Sequence, residues 1–224
     1  FEGINIVSFD ELKNKKVLHK IFDFQTPIGS ICRYRFPDRQ DYGLSNYKLL
    51  PNYTLTQELR SRYYDGRPLV GISWQGGGKD RVMNHKSVFL PDWIPILSSN
   101  NCRFVSLQYG DTSGVLKRFR ENYQCEIFND TSINPLKDMD SWLSQVDAMD
   151  YVITVANTTV HGAAAINKPT AVFVGKDADW RWIKPEIYSG SYWYPHISTF
   201  YQHSSGTWSN AVESVSSWLA NQIR

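Results

Sequence analysis

The sequence predicts an α/β protein built on an open, doubly wound parallel sheet, and two observations carry that reading. From residue 68 onward short apolar runs recur: PLVGIS (68–73), RFVSLQ (103–108), the weaker CEIF (125–128), YVITVA (151–156) and TAVFVG (170–175). They are apolar on both faces and bounded by glycine or polar residues, the pattern of a buried parallel strand. Helical patterns lie between them, and strands alternating with helices make βαβ units.

The helices follow from spacing. Residues 92–98 (DWIPILS) form a short one with Pro95 tolerated in its first turn. Val115, Leu116 and Phe119 share a face over 113–122, and Met139, Trp142, Leu143, Val146 and Met149 make a stripe over 138–149. A further helix covers 159–167. The last, 210–223, aligns Val212, Val215, Leu219 and Ile223, with Asn210 and Glu213 spaced as a capping box. Residues 1–67 differ: one strand-like run, GINIVSF, a helix near 54–64, and otherwise irregular connection.

Composition bounds the function. With 224 residues and 42% apolar content the chain can bury a substantial core. A net charge of +2 from 24 basic and 22 acidic residues gives no electrostatic case for nucleic acid or an anionic membrane. No apolar stretch approaches the roughly 18 residues of a membrane span, and no signal peptide opens the chain. It begins at Phe1 rather than Met, which reads as a segment of a longer protein. Cys32, Cys102 and Cys125 lack metal-like spacing and read as free thiols of a reducing, cytoplasmic compartment. The five histidines show no paired zinc spacing, so no metal and no cofactor is expected. Asp138-Met139-Asp140 resembles a metal-binding Asp-x-Asp, but acids at a helix start are favoured for dipole reasons alone.

In a doubly wound sheet, ligands bind at the carboxyl ends of the strands, where strand order reverses. The fourth run, YVITV, stops at Ala156-Asn157-Thr158-Thr159, with His161 and Gly162-Ala163-Ala164-Ala165 beyond. A helix N-terminus there offers free amides and a positive dipole end, a ready anion site. Thr158 and Thr159 can cap it and offer hydroxyls; His161 can donate a further hydrogen bond; the small residues allow close packing against the sheet. An ordinary capped helix would read the same way. After the first run, Trp74-Gln75-Gly76-Gly77-Gly78 permits close backbone approach to a ligand, with Lys79, Arg81 and Lys86 bringing positive charge. Its spacing matches neither a Walker loop nor GxGxxG. Gln108, Tyr109 and Asp111 end the second run. Arg181, between Trp180 and Trp182, follows TAVFVG, taken as the last strand, and can meet a phosphate or a sugar hydroxyl. Whether Trp193, Tyr194 and His196 of YWYPH line a crevice or the core stays open.

The ordered set VGISWQGG, KSVFLPDW, FVSLQYGD, MDYVITVANTTVHGAAAINKPTAVFV, DWRW, YWYPHISTFYQ and GTW resembles the C-terminal half of GT-B glycosyltransferases. The similarity extends to glycosyltransferase domains attached to bacterial tetratricopeptide repeats, to lipopolysaccharide heptosyltransferases and to O-GlcNAc transferase. It covers about residues 68–218, and FDFQTPIGSI (22–31) resembles the stretch leading out of the family's N-terminal domain. The resemblance implies a Rossmann-like nucleotide-sugar-binding domain at 68–224, preceded by a remnant and linker at 1–67. It implies that Lys86, Thr158, Thr159 and His161 meet the donor diphosphate. Gly76, Gly77, Gln108, Tyr109, Asn157 and Arg181 would meet the donor nucleotide or sugar. Ala156 stands where relatives commonly carry an acid. The general base and acceptor site belong to the family's N-terminal domain, which leaves Asp111 as the one weak candidate here.

The implied activity is hexosyl or heptosyl transfer from a nucleotide-diphosphate sugar, metal-independent and inverting, to a glycan, lipid or protein acceptor. An N-terminal GT-B domain or repeat domain is the expected companion. Two alternatives remain: a non-catalytic nucleotide-binding or scaffold module, and a nucleotide-sugar epimerase. A dehydrogenase is disfavoured by the missing GxGxxG.

Overall fold

The computed structural model describes residues 24, 26, 27, 30, 31, 34, 38, 48–77, 86–99, 101–184, 190–203 and 206–223. The chain divides into two compact units, Phe1–Tyr42 and Gly43–Arg224. The second carries the fold. The strand expected within 3–9 lies outside the described residues, as do Cys32, Gly78, Lys79 and Arg81.

Among the described residues, five parallel strands form one sheet in the order β2-β1-β3-β4-β5. They are β1 (Leu69–Ser73), β2 (Arg103–Ser106), β3 (Tyr151–Val155), β4 (Thr170–Val174) and β5 (Ser198–Tyr201). The helices are α1 (Tyr53–Tyr63), α2 (Ile94–Leu97), α3 (Ser113–Tyr123), α4 (Met139–Asp147), α5 (Thr158–Ala165) and α6 (Ser209–Gln222), with 3₁₀ turns at Leu90–Trp93 and Trp180–Trp182. This is the expected α/β, Rossmann-like doubly wound sheet.

Alternation along each strand sorts the core into layers. Val70, Ile72, Phe104, Ile153, Val155, Ala171 and Phe173 pack on one face with residues of α2, α3 and α6. Leu69, Val105 and Val152 face the other way, against Leu59 and Tyr63 of α1 and Trp142, Leu143 and Val146 of α4. Val172 and Val174 share that second face with Val160 and Ala164 of α5. Both faces are covered, which is why these strands are apolar throughout.

Several expectations need correction. CEIF does not form a strand: Gln124 adopts φ 54° at the end of α3, and the chain meets β2 only at one bridge, Val105 to Phe128. TAVFV is not the last strand, because β5 adds to its edge. β5 is half-exposed throughout, so it lacks the doubly apolar signature that marks the others. Asn210 and Glu213 form no capping box; Trp208 is the N-cap of α6 and makes no side-chain cap bond. Met139 drops out of the α4 stripe and is exposed.

Gly162 packs not on the sheet but under α4. A Cβ there would lie 2.7 and 2.8 Å from ring atoms of Trp142. Gly162→Val should overpack this contact, lowering stability by about 1–3 kcal/mol. Urea unfolding would show a lower midpoint with an unchanged slope; an unchanged midpoint would mean the two helices separate freely.

Candidate functional site

The strand order reverses between β1 and β3, so the crevice predicted by topology opens at Ser73–Gly77 and Ala156–Thr159. A buried polar cluster closes its floor. The Gln108 side-chain oxygen accepts from Ser73 Oγ at 3.0 Å, Trp74 N at 3.0 Å and Gln75 N at 2.9 Å. Asn157 Nδ2 donates to Ser73 Oγ at 2.8 Å and to the Gln75 carbonyl at 3.1 Å. Asn157 Oδ1 accepts from Thr154 Oγ1 at 3.1 Å and from the Thr159 amide at 2.8 Å. One asparagine therefore ties β1 to β3 and caps α5.

This arrangement corrects the expected cap: Asn157 holds that place, and neither threonine does. Thr159 is buried, whereas Thr158, at the first helical position, is exposed at the crevice. Its amide is one of the orphans every helix start carries, since Asn157 satisfies the next one. Helix α5 thus presents an amide, a hydroxyl and its positive dipole end together.

His161 lies one turn in. Its Nδ1 is 2.9 Å from the Tyr194 hydroxyl, and its ring centroid is 5.9 Å from that of Trp182. Burial, then the Arg181 charge, lowers its pKa below the usual histidine value, with Asp179 opposing; burial raises that of Tyr194. Both groups are neutral near pH 7. When Tyr194 donates to Nδ1, the ring proton sits on Nε2, where it can be given to a ligand oxygen. YWYPH accordingly splits by residue: Tyr194 supports His161, the Trp193 ring lies 5.5 Å from Trp180, and His196 Nε2 meets the Ala164 carbonyl at 3.2 Å near the far end of α5.

The rim carries the charge. Lys86 Nζ lies 4.0 Å from Asp179 Oδ2, and Arg181 Nη1 lies 3.2 Å from the same oxygen. The Arg181 guanidinium also stacks over Trp180 at 4.7 Å. The three side chains are 34–44% exposed, so these pairs contribute little to stability and matter as a local field. Lys86 is set by a fixed segment: the Gly76 amide donates to Ser87 Oγ at 3.1 Å and the Val88 amide to the Trp74 carbonyl at 3.0 Å.

The remaining predicted residues divide. Thr158 and His161 stand in the first turn of α5, and Lys86 lines the cleft that begins at Ala156, just before that helix. Gly76 is buried, and a Cβ on it would sit 2.9 Å from Lys86 Cβ; at exposed Gly77 a Cβ would sit 3.0 Å from the Tyr109 hydroxyl. Gln108 and Asn157 hydrogen-bond internally and hold the frame of the crevice. Asp111 is exposed and accepts from the Ser113 amide at 3.0 Å, the geometry of a turn cap. Asp138 caps α4, accepting from the Asp140 and Ser141 amides, as the dipole reading held. Sequence reasoning missed Asp179 and Ser73. The signal for Asp179 is present in DADWRW, an acid placed to cap the turn that the tryptophans and arginine form.

Two hollows flank the crevice. A cleft of about 250 Å³ is lined by Lys86, Ala156, Asp177, Asp179, Trp182 and Gln202 among others. An apolar groove of about 390 Å³ runs past Trp74, Gln75, Phe89, Val115, Arg118 and Tyr123. Among the described residues no group of three or more His, Cys, Asp or Glu could hold a metal ion, and no helix is long and apolar enough to cross a membrane.

No family model matches the chain. Protein FlbA of Caulobacter vibrioides is 25% identical over 202 residues, covering 88% of this chain and 33% of that protein. Three solved structures share the fold at 13% identity. They are ADP-heptose LPS heptosyltransferase II of E. coli (TM-score 0.51; 79% of this chain, 54% of that one), a glycosyl transferase family 9 protein of Veillonella parvula (0.54; 80% and 54%), and E. coli heptosyltransferase WaaC with ADP (0.50; 80% and 52%). The chain thus spans a third of FlbA's length and about half of each structure, and it has the Rossmann-like α/β fold seen in these transferases.

Two outcomes follow from this geometry. Asn157→Ala removes a helix cap and the donor to Ser73 Oγ, and leaves the Gln75 carbonyl with Gln108 Nε2 at 3.3 Å, so stability should fall by about 1–3 kcal/mol in denaturant unfolding; a loss below a few tenths would remove Asn157 from the frame. His161 should titrate below about 6.5 by NMR. Because its folded pKa is depressed, the stability it contributes is complete above about 6.5 and declines as pH falls from there toward the folded pKa. A midpoint at or above 6.5 would contradict the buried, neutral ring.

Proposed function

We propose that this chain is the donor-binding half of a GT-B glycosyltransferase of hexosyl- or heptosyltransferase type. The observation that carries the reading is the start of α5 at the strand-order reversal, with Thr158 and His161 in its first turn and Lys86 on the wall of the adjoining cleft. A nucleoside diphosphate fits this chemistry: its phosphates meet the helix amide, the Thr158 hydroxyl, His161 Nε2 and the Lys86 ammonium. The apolar groove beside Trp74 and Phe89 suits a flat base. The fold shared with heptosyltransferases supports the same assignment.

In transfer, the bond between the sugar's anomeric carbon and the diphosphate oxygen breaks while an acceptor hydroxyl forms the new bond. Negative charge grows on the departing nucleoside diphosphate. The dipole of α5, Lys86 and the His161 proton stabilise that charge where it develops. Positive charge comes from side chains and helix, so the step is metal-independent. The acceptor's proton needs a base, which we assign to the domain facing the crevice in the whole protein, together with the acceptor site. Tetratricopeptide repeats as companion remain part of this proposal.

Ala156 gives the crevice no polar side chain at its centre. That favours a second reading, a nucleotide-binding module without catalysis.

Thermal unfolding with UDP, ADP, GDP and CMP tests the proposal. One nucleotide should raise the melting temperature, because it binds only the folded state, and Lys86→Ala and Thr158→Val should each reduce the shift. No shift with any nucleotide would reduce the likeness to fold alone. Binding without sugar transfer in the whole protein would select the second reading.

A further inference from the structure

The cleft on the β4 and β5 side of the crevice has a chemistry unlike that of the phosphate seat. It begins at Ala156, one residue before the Asn157 cap, and Trp182, on its wall, packs near His161. It therefore adjoins the start of α5. Its volume of about 250 Å³ gives room for one monosaccharide ring.

Its polar groups are mixed. Asp177 and Asp179 contribute acceptors, and Lys86 and Lys176 contribute donors. Gln202 spends its side-chain oxygen on the Lys176 amide at 3.4 Å, which leaves its amide hydrogens. Donors and acceptors together around a small space match a ring of hydroxyls. The two carboxylates find nothing to accept from a phosphate, which offers acceptors only.

Asp179 is the fixed member of this set. Its Oδ1 accepts from the Arg181 amide at 3.0 Å and caps the Trp180–Trp182 turn, so its carboxylate cannot swing freely. Its Oδ2 faces Arg181 and Lys86. These two cations already neutralise it, so it has no need of a divalent ion.

We propose that Asp179 is a specificity residue: it accepts hydroxyl hydrogen bonds from a neutral sugar in this cleft while holding Lys86 as its counter-ion at the edge of the phosphate seat. This rests on the donor reading above and adds what that reading leaves open, the kind of sugar and the residue that recognises it. The carboxylate repels an anionic sugar, and it competes with the diphosphate for Lys86.

The two roles have opposite signs, which makes them separable. Asp179→Asn keeps shape and turn cap, since the amide oxygen can still accept from Arg181 N. Titration calorimetry on the full chain would compare UDP, ADP and GDP, each with its glucose conjugate. The variant should bind the preferred nucleoside diphosphate about equally or up to tenfold more tightly, because Lys86 is released. It should bind the glucose conjugate at least fivefold more weakly relative to that diphosphate. Equal tightening of both ligands would make Asp179 a counter-ion only and overturn the proposal. Parallel loss of both would move Asp179 into the phosphate seat and overturn it as well. Wild-type protein that binds none of the six ligands would instead bring down the donor reading, and the sugar assignment with it.

Discussion

The structure depends on one polar junction, the hydrogen-bonded cluster of Asn157, Ser73 and Gln108 at the carboxyl ends of the three strands β2, β1 and β3. At the reversal of strand order, the ladder ends while the chains must leave in different directions. Backbone amides beyond the last ladder pair, Ser73 with Thr154, would be buried without partners. Gln108 takes two of them, at Trp74 and Gln75, with a single side-chain oxygen. Asn157 completes the closure and at the same time orders the first turn of α5. An unmade bond in so dry a place is costly, which keeps the junction together as a unit.

That junction converts a fold into an electrostatic device. The whole chain carries a formal net charge of only +2. Beside the crevice, however, Lys86 and Arg181 both face Asp179, on a cleft that Asp177 and Lys176 also line. His161 adds a hydrogen bond rather than a charge, because burial and Arg181 keep its ring neutral. A neutral donor beside two cations can follow charge as it grows on a ligand oxygen without adding repulsion to the empty site.

Much of this was legible in the sequence because burial on both faces leaves a plain record. LVGIS, YVITV and TAVFV are fully or almost fully buried, and their apolar runs announced them. β5 was illegible for the converse reason: STFY lies at a sheet edge and is half-exposed, so nothing in its pattern demanded a strand. The segment ANTTVH carries the end of a strand and the start of a helix in its pattern. Its pattern points to Thr158 and Thr159 as the cap, whereas Asn157 holds that place. Only the position of Ser73 across the sheet decided that Asn157 turns inward while Thr158 faces out.

The same division runs through the site. The sequence by itself determined the doubly wound sheet, the location of the crevice after the strands, and the start of a helix at Thr158 with His161 in its first turn, because periodicity and strand-end chemistry are local properties of the chain. Tertiary structure alone decided that Gln108 and Asn157 serve the frame. It also paired Tyr194 with His161 and set Asp179 between Lys86 and Arg181. Apart from the Asp179–Arg181 contact within one turn, each of those relations joins residues from separate loops, and which loop meets which is settled by strand order, a long-range property that no local pattern records.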